Sequence, residues 1–243
     1  MAYRWSALPE TGYAMLPAVF WNWNDDDAAC IASWADGTRH RAIHGGHPRL
    51  GAFLDDADPA TRRWDDMVGA AAGGPAERDI LVALQTVGGQ ESANDVLARQ
   101  IAAAPPGWRW WIRRHPSSRP EDDSLYRSLL ALRGPNIRIE AASALPLFAL
   151  LRHMSLVVSL GSGVAGEAFW FGVPAVFLSP AARGQFGALI DGGQAMVIDD
   201  IAQLNATIAG IPSRAKRPRP RPQPDIATTL HRLLAWSEDC AAC

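Results

Sequence analysis

An α/β domain built on a doubly wound parallel sheet is the fold this sequence predicts, and three observations predict it. Short apolar runs rich in β-branched and aromatic residues alternate with helix-like stretches through the middle of the chain. The helix-like stretches stop on Gly and Pro where the next apolar run begins. The chain is 243 residues long and 48% hydrophobic, enough for one sizeable core, and it has no run of about 18 uninterrupted apolar residues that could span a membrane.

The apolar runs are Ile80 to Gln85, Trp108 to Arg113, Ile137 to Ile139, Leu156 to Ser159, Ala175 to Leu178 and Met196 to Ile198. Between them Ser92 to Ala104, Glu121 to Leu132, Ala144 to His153, Gly163 to Phe171 and Ile201 to Ala209 read as helices. Pro105-Pro106-Gly107 stops the first helix, Gly134-Pro135 the second, and Gly172 followed by Pro174 the fourth. Asp199 or Asp200 can cap the last. The connection from Leu178 to Ala195 is Gly-rich with no clear helix and reads as a functional loop.

Before Asp79 the pattern is shorter. Tyr13 to Trp23 reads as a strand, Asp25 to Trp34 as a helix opened by acidic residues, and Ala70 to Pro75 as a linker. Roughly 75 residues are too few for a second full domain of the same kind. Arg214 to Pro224 alternates Arg with Pro and predicts an extended, solvated connector rather than an RNA- or membrane-surface strip. Ile226 to Trp236 predicts a final amphipathic helix that docks back. The expected parts are thus a partial N-terminal segment (1–75), the α/β domain (76–212), the connector (213–224) and a C-terminal helix and tail (225–243).

A formal net charge of -2 removes the simplest case for nucleic acid as partner. Only Lys216 interrupts an otherwise all-Arg basic set, which reads as coding bias. The N-terminus has no apolar signal core, which predicts a cytoplasmic product. Cys30, Cys240 and Cys243 make no disulfide framework, and Cys240-Ala-Ala-Cys243 is half a zinc site without a second pair. Ten Trp raise the choice between ligand stacking and packing; Trp108, Trp110, Trp111 and Trp170 lie on predicted core elements, which favours packing.

In open α/β sheets ligands bind beyond the carboxyl ends of the strands. The residues standing there are Gln85-Thr86-Val87-Gly88-Gly89-Gln90, Arg113-Arg114-His115-Pro116-Ser117-Ser118, Ser159-Leu160-Gly161-Ser162-Gly163 and Ser179 to Gln185. The Ser159 to Gly163 run has two readings. Small residues between a strand and a helix let phosphate oxygens approach the helix N-terminus, with Ser162 as an added donor and Glu167 one and a half turns on, in reach of a ribose hydroxyl. Equally, a tight strand-to-helix turn uses glycines for packing alone. Pro116 forces His115 out of helical geometry and leaves an imidazole at a strand end, where it can donate to phosphate or act as a general acid. Arg113 and Arg114 alternate, so only one shares the side of His115.

Strand then His115-Pro116, a helix, a strand, a helix, a strand ending in Gly161-Ser162-Gly163, then Glu167-Ala168 and Gly172-Val173-Pro174, resembles the C-terminal, nucleotide-sugar-binding domain of GT-B glycosyltransferases. Within that class it is most similar to bacterial surface-polysaccharide transferases and the polysialyltransferase, glycerophosphotransferase and UDP-GlcNAc 2-epimerase groups. The stretch His44-Gly-Gly-His-Pro-Arg-Leu50 resembles the element that opens the C-terminal half of such enzymes. The resemblance implies a nucleotide-sugar donor, a glycan acceptor, and no obligatory metal or other cofactor. It places His115 on the donor phosphate, assisting departure of the nucleotide. Ser159, Gly161, Ser162 and Gly163 come to the same phosphates, Glu167 to the ribose and Gln85 to the first strand end. The family's paired hydroxyls are reduced here to Ser162 between two glycines. Most of the family's acceptor-binding half is absent, which leaves a fragment, a product with a late start codon, or a donor-binding module that works with a separate acceptor-binding domain or protein. The alternatives are a noncatalytic nucleotide-sugar-binding module and a sugar-nucleotide epimerase relative.

Overall fold

The computed structural model describes residues 16–85, 91–116, 124–132, 134, 136–212 and 222–241. The expected loops at Thr86 to Gln90 and Ser117-Ser118, the expected helix start at Glu121, most of the Arg/Pro connector, and Cys243 lie outside them. Two compact units divide the chain, Met1–Leu54 with Pro222–Cys243, and Asp55–Arg221.

The larger unit runs α2 (Pro59–Ala72), β3 (Arg78–Ala83), α3 (Glu91–Ala102), β4 (Trp108–Arg113), α4 (Ser124–Leu132), β5 (Ile137–Arg138), α5 (Glu140–Ala144), α6 (Leu147–Leu151), β6 (Leu156–Ser159), α7 (Val164–Trp170), β7 (Ala175–Phe177), α8 (Ala182–Asp191), β8 (Ala195–Val197) and α9 (Leu204–Gly210). The six strands are all parallel in the order β5-β4-β3-β6-β7-β8. Counted from β3 this is the 3-2-1-4-5-6 order of doubly wound folds, with the switch point between β3 and β6. The predicted α/β class and all six predicted strands are present. A parallel sheet must be covered on both faces. Ile80, Val82, Trp110, Ile112, Leu156, Val158 and Val176 form one face, packed with Leu97 and Ile101 of α3, Leu129 of α4 and Leu204 and Ile208 of α9. By strand alternation Leu81, Trp111, Val157 and Phe177 point to the other, where Phe177 stacks on Phe186 of α8 at 4.6 Å between ring centroids. Trp108, Trp110, Trp111 and Trp170 are all buried, so these four pack.

Three local expectations are corrected. Ala70–Ala72 are the last residues of α2 rather than a linker, leaving only Gly74 and Pro75 beyond the cap: Asp58 Oδ1 accepts from the amides of Ala60 and Thr61, Pro59 occupies the first turn, and Gly73 closes the helix with φ 73°. The compact unit therefore starts at Asp55 rather than at residue 76. Ala144 to His153 is not one helix, because Pro146 holds Leu145 extended (ψ 148°) and splits the segment into α5 and α6. Leu178 to Ala195 holds a helix, α8, bent at Phe186 (φ -122°, ψ 25°) and held by the Phe177 stack.

The smaller unit pairs β1 (Val19–Asn22) parallel to β2 (Arg41–His44), joined by α1 (Asp25–Ala35), with Phe20, Ile31 and Ala35 as its core. Asn24 caps α1 by accepting from Asp27 N at 2.8 Å. The turn after β2 is tightly held: the Trp21 indole donates to Gly46 O at 2.6 Å and His47 N donates to Gln223 Oε1 at 3.1 Å. Gln223 precedes α10 (Ile226–Ala241), so the expected C-terminal helix belongs to this unit. Among the described residues no helix is long and apolar enough to cross a membrane.

Candidate functional site

At the switch point the chain leaves β3 at Gln85 and β6 at Leu160, and the two loops stand side by side because Ala83 pairs with Ser159. The turn after β6 is built from its own hydrogen bonds. Ser162 N donates to Ser159 Oγ at 3.1 Å and Val164 N to Ser162 Oγ at 3.3 Å. Ala165 N donates to Ser162 O, and Gly166 N and Glu167 N both donate to Gly163 O. Four consecutive amides of α7, from Val164 to Glu167, are thereby occupied, so the expectation that the helix's own N-terminus offers free donors is corrected. The free donors are instead the two glycines: neither Gly161 N nor Gly163 N donates to any atom among the described residues. Ser159 is 2% exposed and its hydroxyl holds the turn, so it shapes the loop and does not face solvent.

Two carboxamides from neighbouring elements reach this turn. A Cβ built on Gly161 would lie 4.0 Å from Gln85 Oε1 and 3.9 Å from Gln185 Oε1, so two carboxamides flank that glycine. Nothing stands within 4 Å of the same position on Gly163. His115 follows β4 at the same edge and is exposed; β4 pairs with β3, and Arg113 pairs with Ala83. The expected residues Gln85, His115, Ser159, Gly161, Ser162, Gly163 and Glu167 thus all stand at one carboxyl edge. Gln185 was missed. It sits on α8 between Gly184 and Gly187, which hid the helix, and its position after the fifth strand was the signal available.

Two groups of this edge are shifted: burial pushes the Glu167 carboxyl up to about 6, while the Arg113 guanidinium pulls the other way, and burial lowers Arg113. Of the two arginines, Arg113 is the one on this face, donating to Ala142 O at 2.5 Å and Leu145 O at 2.7 Å, whereas Arg114 lies over the Tyr126 ring of α4 at 5.0 Å. A cavity of about 10 Å³ opens between Ala83, Gln85, Leu97, Ser159 and Leu178, room for a single water, so a ligand would lie across the open edge. The roomier cavity, about 430 Å³, lies at the opposite edge against Asp79, Arg109, Trp111 and His153. Its charges are spent on one another: Asp79 Oδ1 accepts from Arg109 Nη1 at 3.0 Å and from Trp111 Nε1 at 2.8 Å, and His153 pairs with Asp65.

A scan against known protein families matches none, and no curated protein matches. Solved structures do match. UDP-GlcNAc 2-epimerase from Methanocaldococcus jannaschii, in complex with UDP-GlcNAc and UDP, is similar over 90% of this chain and 61% of its own, with TM-score 0.61 and 14% identity. The fold is GT-B-like. UDP-GlcNAc 2-epimerase from Neisseria meningitidis, bound to UDP-GlcNAc, is similar over 78% of this chain and 51% of its own, with TM-score 0.52 and 14% identity. The wall teichoic acid polymerase TagF soaked with CDPG is similar over 78% of this chain and 46% of its own, with TM-score 0.51 and 14% identity. The GT-B-like chain spans about half to three fifths of the length of the structures it matches.

Proposed function

We propose that the larger unit binds a nucleotide-sugar donor at the switch point and serves transfer of the sugar to a surface polysaccharide or other glycan. The observation that carries this reading is the pair of unpartnered Gly161 and Gly163 amides on either side of Ser162, held in place by the Ser159 hydroxyl beneath them. Two unpaired N–H groups and a hydroxyl within one short turn suit phosphate oxygens, which accept only. Glu167, five residues on, suits a ribose diol, and the Gln85 and Gln185 carboxamides, able both to donate and to accept, suit sugar hydroxyls. In this reading His115, exposed at the end of β4, stabilises the departing phosphate. These are protein donors, so the reading needs no metal, and donor binding should persist in excess chelator. The neighbours named for UDP-GlcNAc and CDPG support the donor class, and their length supports a separate acceptor-binding half.

Calorimetric titration of UDP-, CMP- and GDP-sugars into the wild-type chain and His115→Ala tests the reading, followed by assay of donor hydrolysis. Saturable binding of one nucleotide class, with turnover lost in His115→Ala, is expected. Binding without turnover in the presence of glycan acceptors would favour a noncatalytic module, and no binding of any nucleotide would end both readings. The two epimerase neighbours favour a second reading, sugar-nucleotide epimerisation. Inverting C2 requires its C–H bond to break, so deuterium entering UDP-GlcNAc at C2 in heavy water would select it.

A further inference from the structure

The cavity of about 430 Å³ at the amino edge of the larger unit falls in the size range of pockets that take small molecules. Its polar floor is set by strand register. Asp79 of β3 pairs with Arg109 of β4, so their side chains share the face opposite the Ile80 and Trp110 cluster, and Trp111 of that face follows. Asp79 Oδ1 accepts from Arg109 Nη1 at 3.0 Å and from Trp111 Nε1 at 2.8 Å, and Arg109 Nη2 donates onward to Gly74 O at 2.6 Å. Asp79 Oδ2 accepts from no atom among the described residues, and the side chain is 21% exposed where it lines the cavity. Half of an immobilised carboxylate is therefore left over as an acceptor. Pro75 and Ala76, also lining the cavity, have carbonyls that accept from nothing among the described residues. On the α2 side the cavity is kept open by Gly69. Its φ is not left-handed and nothing stands within 4 Å of where a Cβ would be, so neither backbone strain nor crowding demands a glycine in this helix, where glycine is unfavourable.

We propose that this cavity is a binding site for a neutral saccharide unit, whose hydroxyls donate to Asp79 Oδ2 and to the carbonyls of Pro75 and Ala76. The proposal goes beyond the donor-binding reading and does not rest on it, since the cavity shares no residue with the Gly161 edge. Charge of either sign is disfavoured here: an ammonium group would meet the Arg109 guanidinium, and a phosphate would meet the Asp79 carboxylate. Spare acceptors beside a neutral ion pair call for a ligand that brings donors without charge, and hydroxyls do so. Val68 and Ala72 of α2 supply apolar surface for the C–H face of a sugar ring.

The test uses the full nitrogen-labelled chain, with the Trp111 indole signal assigned by Trp111→Phe, because that N–H bonds to Asp79 and reports on its carboxylate. The probes are methyl glucoside, N-acetylglucosamine and cellobiose, with putrescine and inorganic pyrophosphate as the cationic and anionic comparisons. Saturable movement of the Trp111 indole is expected with saccharide and not with either ion, at a Kd of about 1 mM, ordinary for one small neutral ligand. Asp79→Asn keeps an oxygen for Arg109 and Trp111 but turns the other position into an N–H donor, and should weaken saccharide binding about tenfold or more. Gly69→Leu fills the cavity from α2 and should abolish the saccharide response, with its urea midpoint no lower than wild type and its UDP response at Gly161 and Gly163 unchanged. No saturable movement with any saccharide, movement with putrescine or pyrophosphate only, unchanged affinity in a folded Asp79→Asn, or a saccharide response that survives Gly69→Leu overturns the proposal. A saccharide response in a chain that binds no UDP sinks the donor reading and supports this site.

Discussion

Glu167 costs the folded chain stability at neutral pH, and the sign follows from its direction. Its folded value, about 6, lies above the ordinary 4.5, so the native state holds the proton more tightly. Stability from that proton is present in full below about pH 4.5 and is lost as pH rises through 6. Glu167→Gln should therefore be more stable than wild type at pH 7.5 by about 1 to 2 kcal/mol and nearly equal to it at pH 4.5, measured by urea unfolding. The ligand role proposed for Glu167 would account for a half-buried carboxyl kept at such a cost. His47 runs the other way: burial lowers its value, so it subtracts stability as pH falls below the ordinary 6.5. Gly45 is a steric requirement, since an added Cβ would lie 2.1 Å from Trp21 Cε2. Gly45→Ala should cost about 1 to 3 kcal/mol in the same unfolding assay. Ser162 and Glu167 were legible because they stand in one linear run with the glycines. Gln185 was legible only as the end of the Ser179 to Gln185 stretch, because only the fold brings its carboxamide beside Gly161. The division of labour between Arg113 and Arg114 was half legible: alternation separated them, but the partners, α5 carbonyls and the Tyr126 ring, are long-range.

Elements divide the same way. β3, β4 and β6 are buried runs of β-branched and aromatic residues and were readable from composition, as were the glycine and proline stops of α3 and α7. Helix α2 was overlooked for its small-residue end, although Asp58-Pro59 and Gly73 carry a capping residue, a first-turn proline and a left-handed terminator at the right spacing. Asp58→Ala should lower stability by about 1 kcal/mol, and Gly73→Ala by about 1 to 2 kcal/mol through its φ of 73°, both read from thermal or urea unfolding. Helix α8 shows why propensity alone misses short helices at sites. Gly184 and Gly187 weaken its local preference, and tertiary stacking of Phe186 on Phe177 supplies what the segment lacks. That same stacked helix presents Gln185 to Gly161, so the element read as a loop and the residue left unsingled within it have one cause.

At the scale of the molecule, the strand order concentrates chemistry at one place. Winding outward in both directions from β3 and β6 leaves a crevice at their carboxyl ends, and the polar loops gather there while the opposite edge spends its charges internally. The sheet class and its site edge followed from alternation of strand and helix; the strand order and the two-unit division did not, because both depend on long-range packing. The chain spans about three fifths of the length of solved structures it is similar to, so the donor binding proposed above is the part of the account to be tested on this chain alone. Titration of UDP into the nitrogen-labelled chain, with amide shifts followed residue by residue, tests the donor site most directly. The account predicts saturable shifts of the Gly161 and Gly163 amides, largest of the whole chain, with the Gln85 and Gln185 carboxamides moving in step. Saturable shifts confined to the opposite edge, at the Trp111 indole and the Asp79 amide, or none at all, would contradict it.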